Sequence, residues 1–321
     1  MKKIWLFGTL CLMLMCLCAC KTGNEEVTTS EEMTTNEETT IYEDVTTNEE
    51  LLDVNQYESV EGIISIEKLD LEKILSEGVE VSTYKVKYQV DDCTVVSYLS
   101  VPNACIEKQE AYPCIIFNRG GNREFGANKP EDIAYMAESS GKVIFATQYR
   151  GVDGGTGTEE FGGADLKDVL KLVDFCEEFA FVDTEQIYMM GVSRGGMMTY
   201  MAAREDSRIK KAVVISGVSD AFMGYDERID MQQVYKELVG ETPESNPEEY
   251  TKRSAAYWAD EIKCPILILH SKLDEKVAFG QAEKMVQALE KAGKEYKFVS
   301  YEDNVHGVRQ EDLQIILEWC Q

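Results

Sequence analysis

The run Ile187-Tyr188-Met189-Met190-Gly191-Val192-Ser193-Arg194-Gly195-Gly196-Met197-Met198 decides how the rest of this chain is read. Four apolar residues suit a buried strand, and the Gly-Met-Met sequence that follows, with Ala202 and Ala203 further on, suits a helix packed close against it. Between them, Gly191-Val192-Ser193-Arg194-Gly195 matches the G-x-S-x-G elbow, which puts a serine hydroxyl at the tip of a sharp strand-to-helix turn. A side chain at Gly191 or Gly195 would collide with the backbone crowded around such a turn. The pentapeptide alone also fits a glycine-rich turn with an idle serine, and the strand before it and helix after it are what give it weight.

Outward from the elbow, strand and helix patterns alternate. Short apolar runs at Cys114–Phe117, Val143–Thr147, Ala212–Ser216, Pro265–His270 and Lys297–Tyr301 read as parallel strands, with helical patterns at Ala164–Phe179, Gly195–Arg204, Gly280–Ala292 and Gln310–Trp319. Two antiparallel strands precede them at Val81–Val90 and Val95–Val101, where Tyr84, Val86, Tyr88 and Val90 keep period two. Residues 218 to 262, with Pro243, Pro247 and several tyrosines, break the rhythm and read as a small helical cap inserted over the carboxyl edge of the sheet.

A serine hydroxyl needs a base, and the chain has two histidines. His270 closes the run Ile266-Leu267-Ile268-Leu269 and reads as a packed strand terminus. His306 lies in the polar loop Glu302-Asp303-Asn304-Val305-His306-Gly307 and is the expected base. The acid expected to hold its imidazole is Asp274, just past the strand ending at His270; Asp220 is the alternative, and Asp303 is too local to His306 to orient it. The order Ser193, Asp274, His306 is that of the α/β-hydrolase fold, a mostly parallel sheet with helices on both faces. An oxyanion needs preorganised donors, expected from the backbone N–H of Arg194 and from Arg119 and Gly120 in the loop Asn118-Arg119-Gly120-Gly121. No metal or organic cofactor is implied.

Together these pieces resemble the catalytic domain of the prolyl oligopeptidase-like serine peptidases, from about Val81 to the C-terminus. Beyond the elbow, Gln148-Tyr149-Arg150-Gly151 is similar to the Tyr-Arg-Gly loop of that family, followed by Phe161-Gly162-Gly163-Ala164-Asp165. Ala259-Asp260-Glu261-Ile262-Lys263-Cys264-Pro265, then Asp274 with Val277, then His306-Gly307 continue the likeness in order. The resemblance implies the fold, the triad and a short-peptide substrate. Prolyl oligopeptidase itself has a tyrosine hydroxyl in the oxyanion hole just before the glycine pair, where this chain has Arg119, which implies a backbone donor here. Large members of the family also carry a β-propeller, and no such repeats precede this domain. Dienelactone-hydrolase-like and acyl-sugar esterases share the framework, so a carboxylic ester is the alternative substrate. A non-catalytic binding lipoprotein is the alternative from another class.

The start of the chain concerns location. Lys2 and Lys3, the apolar run Ile4 to Leu17 and then Cys18-Ala19-Cys20 read as a lipoprotein signal, residues 1–19, with Cys20 lipidated. Residues 20–53 repeat a Thr/Glu hexad, at Val27–Glu32, Met33–Glu38 and Val45–Glu50, and read as a disordered tether, leaving residues 54–321 as the catalytic domain. The expected location is therefore the outer face of a bacterial membrane, held by lipid alone. A net charge of −27 argues against nucleic acid as a partner. Six cysteines lie beyond the signal, scattered rather than paired; Cys93 and Cys105 are the one candidate bridge, on strands expected to be neighbours. Oligomeric state is not legible.

Overall fold

A computed structural model describes residues 54–321. The expected signal, the lipidated Cys20 and the tether lie outside the described residues.

Nine strands form one sheet in the order β1-β2-β3-β5-β4-β6-β7-β8-β9, where β1 is Ile63–Leu69, β2 Val81–Val90, β3 Cys93–Pro102, β4 Tyr112–Asn118, β5 Val143–Thr147, β6 Val182–Val192, β7 Ile209–Ile215, β8 Ile266–Ser271 and β9 Tyr296–Tyr301. Pairing is antiparallel from β1 through β3 to β5 and parallel from β5 onward. The central strands are buried on both faces, and their side chains alternate between two cores. Cys114, Ile116 and Met189 point into one, under the helices Leu166–Glu178, Arg194–Glu205 and Phe279–Ala292. Ile115, Tyr188 and Met190 point into the other, under the helices Pro130–Ser140 and Asp312–Trp319.

This order places the site. From β4 the chain steps to β5 on one side and then returns to β6 on the other, so the loops after β4 and β6 leave in opposite directions and open a crevice at the carboxyl edge. The loops after β8 and β9 emerge at the same edge, because those strands pair in parallel, with His270 opposite Ser300. Between β7 and β8 lie the short helices Ala221–Glu227, Gln232–Tyr235 and Pro247–Lys252, held by a tyrosine cluster in which the Tyr235 and Tyr250 rings stack 6.0 Å apart and Tyr225 meets Tyr250 edge-on at 5.9 Å.

One sequence expectation is corrected here. Cys93 opens β3 and Cys105 follows its end, so they lie at opposite ends of the same strand, about 30 Å apart at the rise of an extended chain, rather than on neighbouring strands. All six described cysteines are free thiols.

Candidate active site

Ser193 stands alone between β6 and the helix Arg194–Glu205, with φ 58° and ψ −122°. A non-glycine residue reaches that conformation only when its surroundings impose it. Here its N–H donates to the Ile215 carbonyl at 3.0 Å, and its own carbonyl accepts from Gly196 at 2.9 Å. The two elbow glycines are required by space: a Cβ on Gly191 would lie 2.1 Å from the Gly195 carbonyl oxygen, and one on Gly195 would lie 1.9 Å from that of Asn118. The half-buried Ser193 side chain therefore rises beside the end of β4.

His306 lies in the loop after β9, and its Nδ1 is 2.8 Å from Asp274 Oδ2 and 3.1 Å from Oδ1. With Asp274 ionised, Nδ1–H donates and Nε2 is left as the acceptor. The loop is braced around this contact: Ser271 Oγ–H donates to the Val305 carbonyl, and the Arg309 guanidinium pairs with Asp303 at 2.7 Å. Asp303 thus shapes the loop and accepts from the Val305 amide.

Asp274 is buried in the loop after β8. Burial pushes its pKa up, but hydrogen bonds from His306 and from the Lys276 and Val277 amides outweigh this and hold it at about 2. The alternative acid is engaged elsewhere. Asp220 caps the helix Ala221–Glu227, accepting from the Phe222 amide at 2.9 Å, and forms an ion pair with Lys284. His270 is buried behind Asp274, with Nε2 2.8 Å from the Val277 carbonyl, and burial pushes its pKa down.

Ser193 and His306 face one cavity of about 480 Å³. Phe161, Met231 and Tyr235 give it an apolar wall, and Glu227 and Arg228 from the segment between β7 and β8 line it too. Ser193 Oγ is not hydrogen-bonded to the imidazole here; such bonds commonly tighten when a substrate docks.

Gly120 also lines the cavity, so close that a Cβ on it would lie 3.2 Å from the Ser193 Cβ. Because the peptide is planar and trans, its N–H points opposite to the Arg119 carbonyl, which accepts from the buried Tyr149 hydroxyl at 3.1 Å. The Gly120 N–H is thereby turned away from the interior. The Arg194 N–H, at the first position of its helix, has no intrahelical acceptor. The Arg119 side chain does not join them. It is buried outside the cavity lining, donating to the carbonyls of Gln148, Gly120, Phe125 and Arg123.

Sequence reading missed the charges beneath this loop. Arg194 is buried with its guanidinium between the rings of Tyr149 and Phe161, 4.7 Å from each, and paired with both Glu159 and Asp165. Glu159 carries no motif to mark it among the 59 acidic residues of the chain.

A strained serine at the carboxyl edge of a doubly covered parallel sheet, facing the same cavity as a carboxylate-bound imidazole, defines a class: the chain is a serine hydrolase of the α/β-hydrolase fold. Residues 129–320 match the model of the prolyl oligopeptidase family. The uncharacterised peptidase YtmA of Bacillus subtilis is 31% identical over 217 residues, covering 67% of this chain and 84% of its own length. Among solved structures, the acylaminoacyl peptidase of Pyrococcus horikoshii superposes with a TM-score of 0.65 at 24% identity, over 74% of this chain, which spans only 41% of that larger protein. Acetyl xylan esterase 1 of a Thermoanaerobacterium superposes with a TM-score of 0.60 at 16% identity, over 85% of this chain and 94% of the esterase. The chain belongs to the prolyl oligopeptidase family.

Proposed function

We propose that the domain is a serine peptidase acting on short peptides through an acyl-enzyme. His306 Nε2 takes the Ser193 proton as Oγ attacks the scissile carbonyl carbon; the carbonyl oxygen becomes an oxyanion that accepts from the Arg194 and Gly120 amides. Collapse expels the amine, which takes its proton from His306. Water then repeats the sequence on the acyl-serine, and Asp274 stays ionised throughout, fixing the tautomer and stabilising the imidazolium. The observation that carries this reading is the 2.8 Å Nδ1 to Oδ2 contact on a histidine that shares its cavity with a strained serine.

Family membership supports a peptide substrate. Ester hydrolysis is the second reading, favoured by the likeness to an esterase of which this chain covers nearly the whole length. Labelling with a fluorophosphonate probe, blocked by Ser193→Ala, tests the nucleophile; a panel of peptide amides and acyl esters tests the substrate. Ser193→Ala should lower activity by several orders of magnitude with folding unchanged, and retention of more than a tenth of the rate would remove Ser193 from its role. Higher kcat/KM on acetylated sugars than on any peptide amide would overturn the peptidase reading.

We further propose that lipid on Cys20 holds the enzyme on the outer face of a bacterial membrane, with residues 21–53 as its tether.

A further inference from the structure

We infer that Glu159 is a positioning residue for the oxyanion hole, fastening the loop that carries the Gly120 amide to the elbow that carries the Arg194 amide. The inference rests on the serine-hydrolase reading above.

The two donors come from different parts of the chain, one after β4 and one after β6, and their separation must be held to a fraction of an ångström to serve one oxygen atom. Glu159 touches both parts. Its Oε1 accepts from the Arg123 amide at 2.6 Å, within the loop that begins at Arg119, while its Oε2 accepts from the Arg194 guanidinium at 2.6 Å and lies 3.6 Å from that of Arg119. The carboxylate is buried and charge-assisted bonds of this kind are strong, so the join is stiff. Arg194 adds a third strand to it by donating to the Gly121 carbonyl at 3.2 Å.

Charge shows what removal would do. Both guanidiniums lie over the same Tyr149 ring, at 4.9 and 4.7 Å, with Glu159 between them and Asp165 on the far side of Arg194. These four groups are neutral together. With Glu159 neutralised, two buried cations share one carboxylate and repel each other, and each is attached to one half of the oxyanion hole. The loops should part without any change in Ser193, His306 or Asp274.

The experiment uses Glu159→Gln, which keeps the shape and the bond from the Arg123 amide, and Arg194→Lys, which keeps a charge but cannot hold Glu159, Asp165 and the Gly121 carbonyl at once. Active sites are counted with a fluorophosphonate, and kcat is expressed per labelled site. Expected for either folded variant is a fall in kcat per site of roughly 10- to 100-fold, less than the full loss of a donor, with KM within about twofold. The affinity for a peptide boronate, whose tetrahedral adduct places an oxygen in the hole, should fall in parallel. A merely structural role would lower the number of labelled sites and leave kcat per site at the wild-type value, which overturns the inference. So does failure of both variants to fold, since the charges would then be holding the fold and not tuning the site. If Ser193→Ala keeps its activity, the serine-hydrolase reading falls instead.

Discussion

Asp274 has lost most of its water, yet three donors keep it ionised, and this balance is open to measurement. Its pKa drops on folding from the ordinary 3.8 to about 2, so its stabilising effect is fully present above pH 4 and is lost as pH falls towards 2. A shift of that size corresponds to about 2 kcal/mol, and Asp274→Asn should flatten the loss of stability between pH 4 and pH 2 in urea titrations by roughly this amount. The same substitution favours the wrong imidazole tautomer and should lower kcat about 10⁴-fold, the size this change has in a serine-protease triad. Asp220→Asn, which disturbs a helix cap and a part-exposed ion pair, should leave kcat near wild type. The reverse ranking at matched stability would move the acid to Asp220. Thiols offer a second check: burial pushes Cys105, Cys264 and Cys320 up to about 12, while Cys93 is half-buried. Treating the native domain with a disulfide dye at pH 8 should release colour from one thiol quickly, and rapid release from three or more would contradict the core described above.

The elbow binds strand to helix through contacts that no side chain can enter. Gly195→Ala would drive its methyl into the Asn118 carbonyl, 1.9 Å away, at the end of β4, and should cost far more stability than Gly154→Ala, where φ is 85° but nothing lies within 4 Å. The second change should cost about 1 kcal/mol, the ordinary penalty of a left-handed alanine; similar melting temperatures for the two variants would mean that the elbow yields. The same crowding is why this part of the fold was legible: Gly191, Gly195 and Gly196 are spaced by sterics, and sterics can be read from a sequence. The central strands β4 to β8 were legible for a related reason, since strands buried on both faces are continuous apolar runs, while β2 was legible from its period-two alternation. Edges were less so. β1, Ile-Ile-Ser-Ile-Glu-Lys-Leu, is a part-exposed edge strand with one buried residue and no run to mark it, and the start of β6 is hidden by exposed Thr184 and Glu185. The helix Pro130–Ser140 went unread although its signals were present: Pro130 at its first turn, Glu131 and Asp132 beside it, and Gly141 closing it at φ 64°. The Glu159 network was not legible at all, because nothing local distinguishes a carboxylate that long-range packing will bury from one that stays in water.

Across the whole molecule, every group proposed to touch the substrate lies between Gly120 and His306, at one edge of one sheet. Residues 21–53 stand apart in composition, with eleven carboxylates against one lysine and the hexad Val/Met-Thr-Thr-Ser/Asn-Glu-Glu repeated. The proposal that this segment is a tether rests on that composition, which offers little apolar surface to offset the entropy of ordering. Two variants separate reach from catalysis. Cys20→Ala should move the protein from the membrane fraction to the soluble fraction with kcat unchanged; continued sedimentation with membranes would remove Cys20 as the anchor. In a soluble form, deletion of residues 21–53 should leave kcat and KM within about twofold of the undeleted chain if, as proposed, the segment serves as a tether alone. A larger fall per fluorophosphonate-labelled site, in a domain that melts at the same temperature, would show that these residues reach the cavity and take part in binding.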